Sequence, residues 1–395
     1  MKRTPPLDGL VVLSFEHAIA APLCTRQLAE LGARVIKVER RTTGDFARNY
    51  DARTKGQSSH FIWTNRSKES LTLDIKHEKA PEILDRLLSK TDILVQNLAP
   101  SAMKKLGLNY ESLKEKHGQL IICNISGYGT EGPYKEKKAY DLLVQAESGF
   151  LSITGTKSNL VKSGISIADI AAGMHAFSAI LAAIIERGKS GKGSCIDISM
   201  LEAMVEWMGF PLFYSYEGAP PPGRTGADHA SIYPYGIFQT ADAEILIVGL
   251  QNEREWGRFC RTVLNRPELI DDSRFANNTD RSINREELRD IIQINFIAQS
   301  TTEIITQLES ASIAYANVNN MKDVWQHKQL KALNRLVTTP TPEGEISTFL
   351  PPTNNREFDP TLSPVPALGE HSRRILEGLG FTSSEIDNFY DWQVI

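Results

Sequence analysis

Asp169 stands where the β-rich stretch SGISI meets the alanine-rich run ADIAAGMHAFSAILAAI. A carboxylate at such a junction has two uses. It can cap the helix by accepting N–H groups of the first turn. It can instead stay ionised near the positive helix end and attack a carbonyl as a nucleophile. Position alone leaves both open. A second set lies in KKAYDLLVQAESGF, where Asp141 and Glu147 form a candidate carboxylate pair and Tyr140 offers a hydroxyl. The plain alternative is a helix start with Asp141 in its first turn, and Lys138 as a surface charge or an anion contact. Third, Arg40, Arg41, Lys76, Lys104, Lys105, Lys137 and Lys138 fall at predicted strand ends or loops, and Asn97 closes DILVQN. Several such cations on one rim would suit a polyphosphate ligand.

The elements that must hold these groups alternate. GLVVLSF reads as a strand, APLCTRQLAELGA as a helix closing on Gly32, and ARVIKVER as a second strand. SLTLDIK, a helix over about 78–90, DILVQNLAP, a helix near 103–116 and LIICNISGYG continue the pattern. Alternation of this kind predicts an α/β fold with a Rossmann-like parallel sheet. The first turn reads EHAIAAP and lacks the G-x-G-x-x-G glycines, which argues against a dinucleotide. GKSGKGS at 188–194 follows a helix and precedes a strand, so it reads as a helix end with Gly188 as cap rather than a phosphate loop. The run EGAPPPGRTGADHA marks a linker, giving a large domain over 1–217, a smaller α+β domain over 218–330, and a segment 331–395 returning to the first. Hairpins are expected at YPYGIFQTADAEILIVGL, turning at ADAE, and at LVTTPTPEGEISTFLPP, turning at PEGE.

Composition excludes several classes. The 395 residues carry 44 Lys+Arg against 48 Asp+Glu, a formal charge of −4, so no bulk basic field exists for nucleic acid or an anionic membrane. No apolar run approaches the roughly 20 residues that span a bilayer. The N-terminal apolar stretch breaks at Glu16 and His17, which suits a strand better than a signal sequence. Cys24, Cys123, Cys195 and Cys260 are scattered in apolar contexts and read as buried free thiols. No histidine pair with a nearby acid supports a metal site. The expectation is a cytoplasmic enzyme without metal or organic cofactor.

PLDGLVVLSFEHAIAAP, LAELGARVIKVERRTTGD, NRSKESLTLDIK, LVQNLAPSAMKKLGL, ISGYGTEGP, GISIADIAAGMHAFSAILAAIIER and PALGEHSRRILEGLG occur in that order. Together they resemble the family III CoA transferases, the CaiB/BaiF type. The resemblance covers most of the chain and thins between about 225 and 330. It implies a ring-shaped subunit in an interlocked homodimer. It makes Asp169 the nucleophile and Arg40, Leu73, Lys76, Asn97, Lys105 and Lys138 the residues that bind CoA. Some members carry an arginine at the position of Lys105 and a glutamine at that of Ile19; the second departure argues against oxalate as acceptor.

The resemblance further implies that Asp169 exchanges CoA between an acyl-CoA and a carboxylic acid through an aspartyl anhydride and an aspartyl-CoA thioester, with CoA as substrate and no metal. Its look is that of members acting on short dicarboxylates such as succinate or mesaconate. Tyr140, Asp141, Arg224, His229 and Gln251 are the candidate groups for the acyl moiety. Acyl-CoA racemases share the Asp169 position but use a histidine where this chain has Tyr140, and a phenol of pKa near 10 is a poor base at neutral pH. A non-catalytic CoA-binding protein, with Asp169 only a cap, is the other alternative.

Overall fold

β1 (Val11–Phe15), β2 (Arg34–Glu39), β3 (Lys68–Thr72), β4 (Ile93–Gln96), β5 (Ile121–Ser126) and β6 (Cys195–Ser199) make one parallel sheet in the order β3-β2-β1-β4-β5-β6. The structure is a computed structural model and describes residues 3–242 and 245–395. β1 to β5 are largely buried, as parallel sheets require, while β6 at the edge leaves Cys195 and Asp197 exposed. The order reverses between β1 and β4, where doubly wound sheets open a crevice at the strands' carboxyl ends.

Two helices matter most for that crevice. α1 (Ala20–Glu30) follows β1 directly and has Pro22 in its first turn, where a missing N–H costs nothing. After α2 (Ala80–Leu88), α3 (Pro100–Lys105) and α4 (Asp141–Glu147) comes α5 (Ile167–Ser190), of 24 residues. α5 is long and apolar enough to cross a bilayer by length and composition, which the sequence reading did not anticipate. Asp169, His175 and small residues break the run up in the sequence. The small residues have a packing reason: a Cβ on Gly173 would come within 2.6 Å of the Ala20 carbonyl oxygen, so only glycine lets α1 lie this close.

Several local expectations shift. The helix expected near 103–116 is two short pieces, α3 and Tyr110–Leu113, separated by Gly107 at φ +67. α5 ends at Gly191 in the left-handed conformation, not at Gly188. Cys195 is exposed, while Cys24, Cys123 and Cys260 are buried.

The chain divides into two units. The first comprises 1–148, 163–209 and 330–395. The second comprises 149–162 and 210–329, so the division falls ahead of the proline run and takes 149–162 out of the large domain. The segment from 330 onward belongs with the sheet. Ser372 Oγ accepts the Thr72 N–H at 3.1 Å, and the Asp74 N–H donates to the Val394 carbonyl at 2.7 Å. Phe381, Phe389 and Ile395 join the apolar core that covers β3 and α2. This segment also carries the hairpin β10 (Leu336–Thr339) and β11 (Ile346–Phe349), turning at the expected PEGE. The second unit folds β7 (Tyr235–Gln239), β8 (Ile245–Gly249) and β9 (Ala314–Asn317) antiparallel over Trp256, Phe259, Phe275 and Phe296. Of the expected ADAE turn, Ala243 and Glu244 lie outside the described residues.

Candidate active site

Asp169 does not cap its own helix. The N-cap of α5 is Ser166, which makes no side-chain cap bond. The free amides are taken from outside: Asp141 Oδ1 accepts the N–H of Ala168 at 2.8 Å and that of Asp169 at 3.3 Å. Asp141 Oδ2 accepts Gln145 Nε2 at 2.6 Å, and Gln145 Oε1 accepts the Ser163 N–H at 2.9 Å. The short helix α4 therefore braces the start of α5. Among the described residues no hydrogen bond reaches the Asp169 carboxylate. Burial first, and the Asp141 charge second, push it up to about 7. An acid placed this way has an unengaged carboxylate that ionises near neutral pH, as a nucleophile needs.

The carboxylate neighbours are thus Asp141 and Asp169, rather than Asp141 and Glu147. Glu147 pairs with Lys137, whose ammonium also lies 4.2 Å from the Tyr134 ring centroid. Lys138 is exposed, and Tyr140, 67% exposed, directly precedes α4.

Arg40, Leu73, Lys76 and Asn97 all follow the carboxyl ends of strands, at one rim of the sheet. Arg40 is exposed at the end of β2. Leu73 is 2% exposed and its side chain joins the core, so only its backbone faces the rim. Lys76 and Lys105 line one groove of about 750 Å³, together with His77, Lys116 and His117. Asn97 is engaged on both sides: its Oδ1 accepts the His17 N–H and its Nδ2 donates to the His17 carbonyl, each at 2.9 Å. That bond pair ties β4 to the β1–α1 turn across the switch point.

Sequence reading missed three groups here. The His17 ring stacks on Phe46 at 5.0 Å, with Nδ1 3.8 Å from Asp45 Oδ1. Asp45 is fully buried; burial would raise its carboxyl, but Lys37 leads the contacts that hold it well below the usual range. The Tyr50 phenol is pushed up to about 12 by burial and then by the charges of Asp45 and Asp169, and its ring packs against Phe46 and His60. A signal existed: Glu16 ends an apolar strand and Lys37 interrupts another, and buried charges need partners.

Arg224, His229 and Gln251 belong to the second unit. The Arg224 guanidinium donates to the carbonyls of Thr156 at 2.8 Å and Lys157 at 3.0 Å, holding 149–162 in place. His229 Nδ1 accepts the N–H groups of Ser231 and Ile232, and its ring stacks on Tyr235 at 5.3 Å. The Gln251 N–H donates to Glu255 Oε2 at 2.7 Å and its side chain is exposed. Among the described residues no group of three or more His, Cys, Asp or Glu gathers as a metal-binding cluster.

Comparison with known proteins agrees with this fold. The family model for CoA-transferase family III matches residues 7–372. The chain is 34% identical over 381 residues to the succinyl-CoA:glutarate CoA-transferase of Homo sapiens, covering 95% of this chain and 86% of that one. It is 31% identical over 391 residues to the succinate–glutarate CoA-transferase of Agrobacterium fabrum, covering 95% and 96%. A solved CAIB/BAIF family protein from Brucella suis superposes with a TM-score of 0.84 at 31% identity, covering 95% of this chain and all of that one. On this match of sequence and fold, the chain belongs to CoA-transferase family III.

Proposed function

We propose that this enzyme moves CoA from a succinyl-CoA-like donor to a short dicarboxylic acid such as glutarate, with Asp169 as the covalent carrier. The observation that carries the reading is the Asp169 carboxylate left unbonded while Asp141 takes the helix amides. The succinyl-CoA:glutarate relatives support the dicarboxylate class.

The chemistry balances at every step. An Asp169 oxygen attacks the donor thioester carbonyl, the C–S bond breaks, and CoA leaves as thiolate with an acyl-aspartyl anhydride behind it. The thiolate attacks the aspartyl carbonyl and releases the donor acid, giving an aspartyl-CoA thioester. The acceptor carboxylate attacks that carbonyl and expels the thiolate, forming a second anhydride. The thiolate then takes the acceptor's acyl carbon and frees Asp169. Each step exchanges similarly activated acyl groups, so the scheme needs no metal or organic cofactor. Water must be kept out, since anhydrides hydrolyse.

In this reading Arg40, Lys76, Lys105 and Lys138 meet the CoA phosphates, Leu73 contributes its backbone, and Asn97 shapes the turn against which CoA lies. Tyr140 is the group of the first unit offered to the acyl moiety, with Asp141 bracing α5 beside it, while Arg224, His229 and Gln251 are the candidates of the second unit. The subunit is ring-like and works as an interlocked homodimer in the cytoplasm. Phe210, Phe213 and Tyr216, exposed at 54%, 80% and 66%, are apolar surface that a second copy would bury. The test is a succinyl-CoA assay against mono- and dicarboxylic acids, read by mass spectrometry with hydroxylamine trapping of the Asp169 peptide. Transfer to monocarboxylates alone would remove the dicarboxylate assignment, and an unmodified Asp169 peptide would remove the covalent route.

A further inference from the structure

A chain of buried charges converges on the β1–α1 turn. Asp45 Oδ1 accepts the N–H of Ala18 at 3.1 Å and of Ala47 at 2.9 Å, while Oδ2 accepts Lys37 Nζ at 2.7 Å. Lys37 also reaches Glu16 Oε1 at 3.3 Å, and the same oxygen accepts Lys68 Nζ at 2.7 Å. Lys68 closes the chain on the Pro22 carbonyl at 2.9 Å and Asn65 Oδ1 at 3.0 Å. The side chains of Glu16, Lys37, Asp45 and Lys68 have no exposed surface.

Such a set is a poor way to gain stability, because desolvation of the ions offsets most of their attraction. Its anchors nonetheless share one destination: the Glu16 side chain, the Ala18 N–H and the Pro22 carbonyl all belong to residues 16–22. Within them Ala18 sits at φ +63, a left-handed conformation that an alanine keeps only where its surroundings impose it. α1 then starts with no side-chain cap at Ile19 and presses its Ala20 carbonyl against Gly173 of α5. Gly173 lies one turn beyond Asp169 on the same helix face. The turn is therefore gripped from behind by the ions and meets in front the helix that carries the reacting carboxylate.

We propose that Asp45 is a positioning residue for CoA transfer: through the Ala18 N–H and Lys37 it holds the strained β1–α1 turn against α5, beside Asp169. This rests on the transferase reading above. The test uses the full chain with Asp45→Asn, Ala18→Gly and the double variant. Steady-state transfer is measured alongside amide exchange of the peptide over 16–23. Asp45→Asn is expected to unfold in one transition and to lose roughly tenfold or more in kcat, while KM for the CoA thioester stays within about threefold. Exchange over 16–23 should quicken. Adding Ala18→Gly, which removes the left-handed penalty, should restore part of kcat and slow the exchange again.

Wild-type kcat and exchange in folded Asp45→Asn, or a loss that Ala18→Gly leaves unrepaired, overturns the proposal. Where Asp45→Asn does not fold, Ala18→Val takes its place, since a β-branched residue resists positive φ with the ions intact. The same split between kcat and KM is expected, and unchanged kcat again overturns it. Absence of CoA transfer by the wild-type chain would instead sink the transferase reading, while the exchange data still decide whether Asp45 holds the turn.

Discussion

Asp141 Oδ1 accepts the backbone N–H of Asp169 at 3.3 Å, so two acids share one helix start with divided duties. One satisfies the amides. The other keeps its carboxylate clear and, chiefly through burial and then through its neighbour's charge, ionises near 7. A nucleophile must be ionised to attack, so transfer should rise with pH and level off above a midpoint of about 7. Asp141→Asn keeps an oxygen for the amides but removes the charge, and its pH–rate midpoint should fall. An unchanged midpoint in that variant would assign the shift to burial alone.

The same ionisation has a stability sign. The folded chain holds the Asp169 proton up to about 7, whereas an unfolded aspartate loses it near its ordinary 3.8. The folded state therefore binds more protons across that window, and stability from this group declines as pH rises from about 4 to 7, then stays flat. Asp169→Asn removes the liability. Above pH 7 it should be more stable than wild type by on the order of 2 kcal/mol, allowing for partial exposure, while losing turnover. Denaturant melts at pH 5 and pH 8 check the sign, since the gain must grow toward pH 8.

Gly173→Ala tests the close approach of α1 and α5. The added carbon would meet the Ala20 carbonyl oxygen at 2.6 Å, a backbone atom that no rotamer change can move away, so the helices must part. A loss of about 1–3 kcal/mol is expected, with a fall in turnover. A thermal scan matching wild type would refute the contact.

Lys76 and Lys105 line one groove at the rim expected to receive CoA. Replacing both by alanine should raise KM for the CoA thioester roughly tenfold and leave KM for the acceptor acid within about twofold. The salt dependence of KM should weaken at the same time, because screening acts on the contacts removed. Equal increases for both substrates would argue for a general disturbance instead.

The parallel sheet was readable because its strands are short apolar runs separated by helical spacing, and the order of segments carried the family resemblance. The role of Asp169 was not readable from its own surroundings. A cap and a nucleophile look alike at a strand-to-helix junction, and the residue that takes the helix amides in place of a cap, Asp141, lies 28 positions earlier on another helix. The charges of Glu16, Lys37, Asp45 and Lys68 were visible as letters but not as a chain, since their bonds join four separate segments. The bracing of Asn97 against His17, 80 residues apart, is likewise a product of the switch point and not of local pattern. Gly191 replaced Gly188 as the end of α5 because the helix runs on through Lys189 and Ser190.

The bond between Thr72 and Ser372 spans 300 residues, with the whole of the second unit encoded in between. During synthesis the β3 side of the sheet and helix α2 emerge long before Phe381, Phe389 and Ile395, the residues that cover them. Until those residues arrive, Leu71, Ile83 and Leu87 have no lid, and a nascent chain paused before position 370 presents that surface to its surroundings. Closing so long a loop also slows folding more than it weakens the finished fold. This chain should therefore mature late, need shielding while it waits, and suffer more from truncation after 370 than its distance from Asp169 suggests.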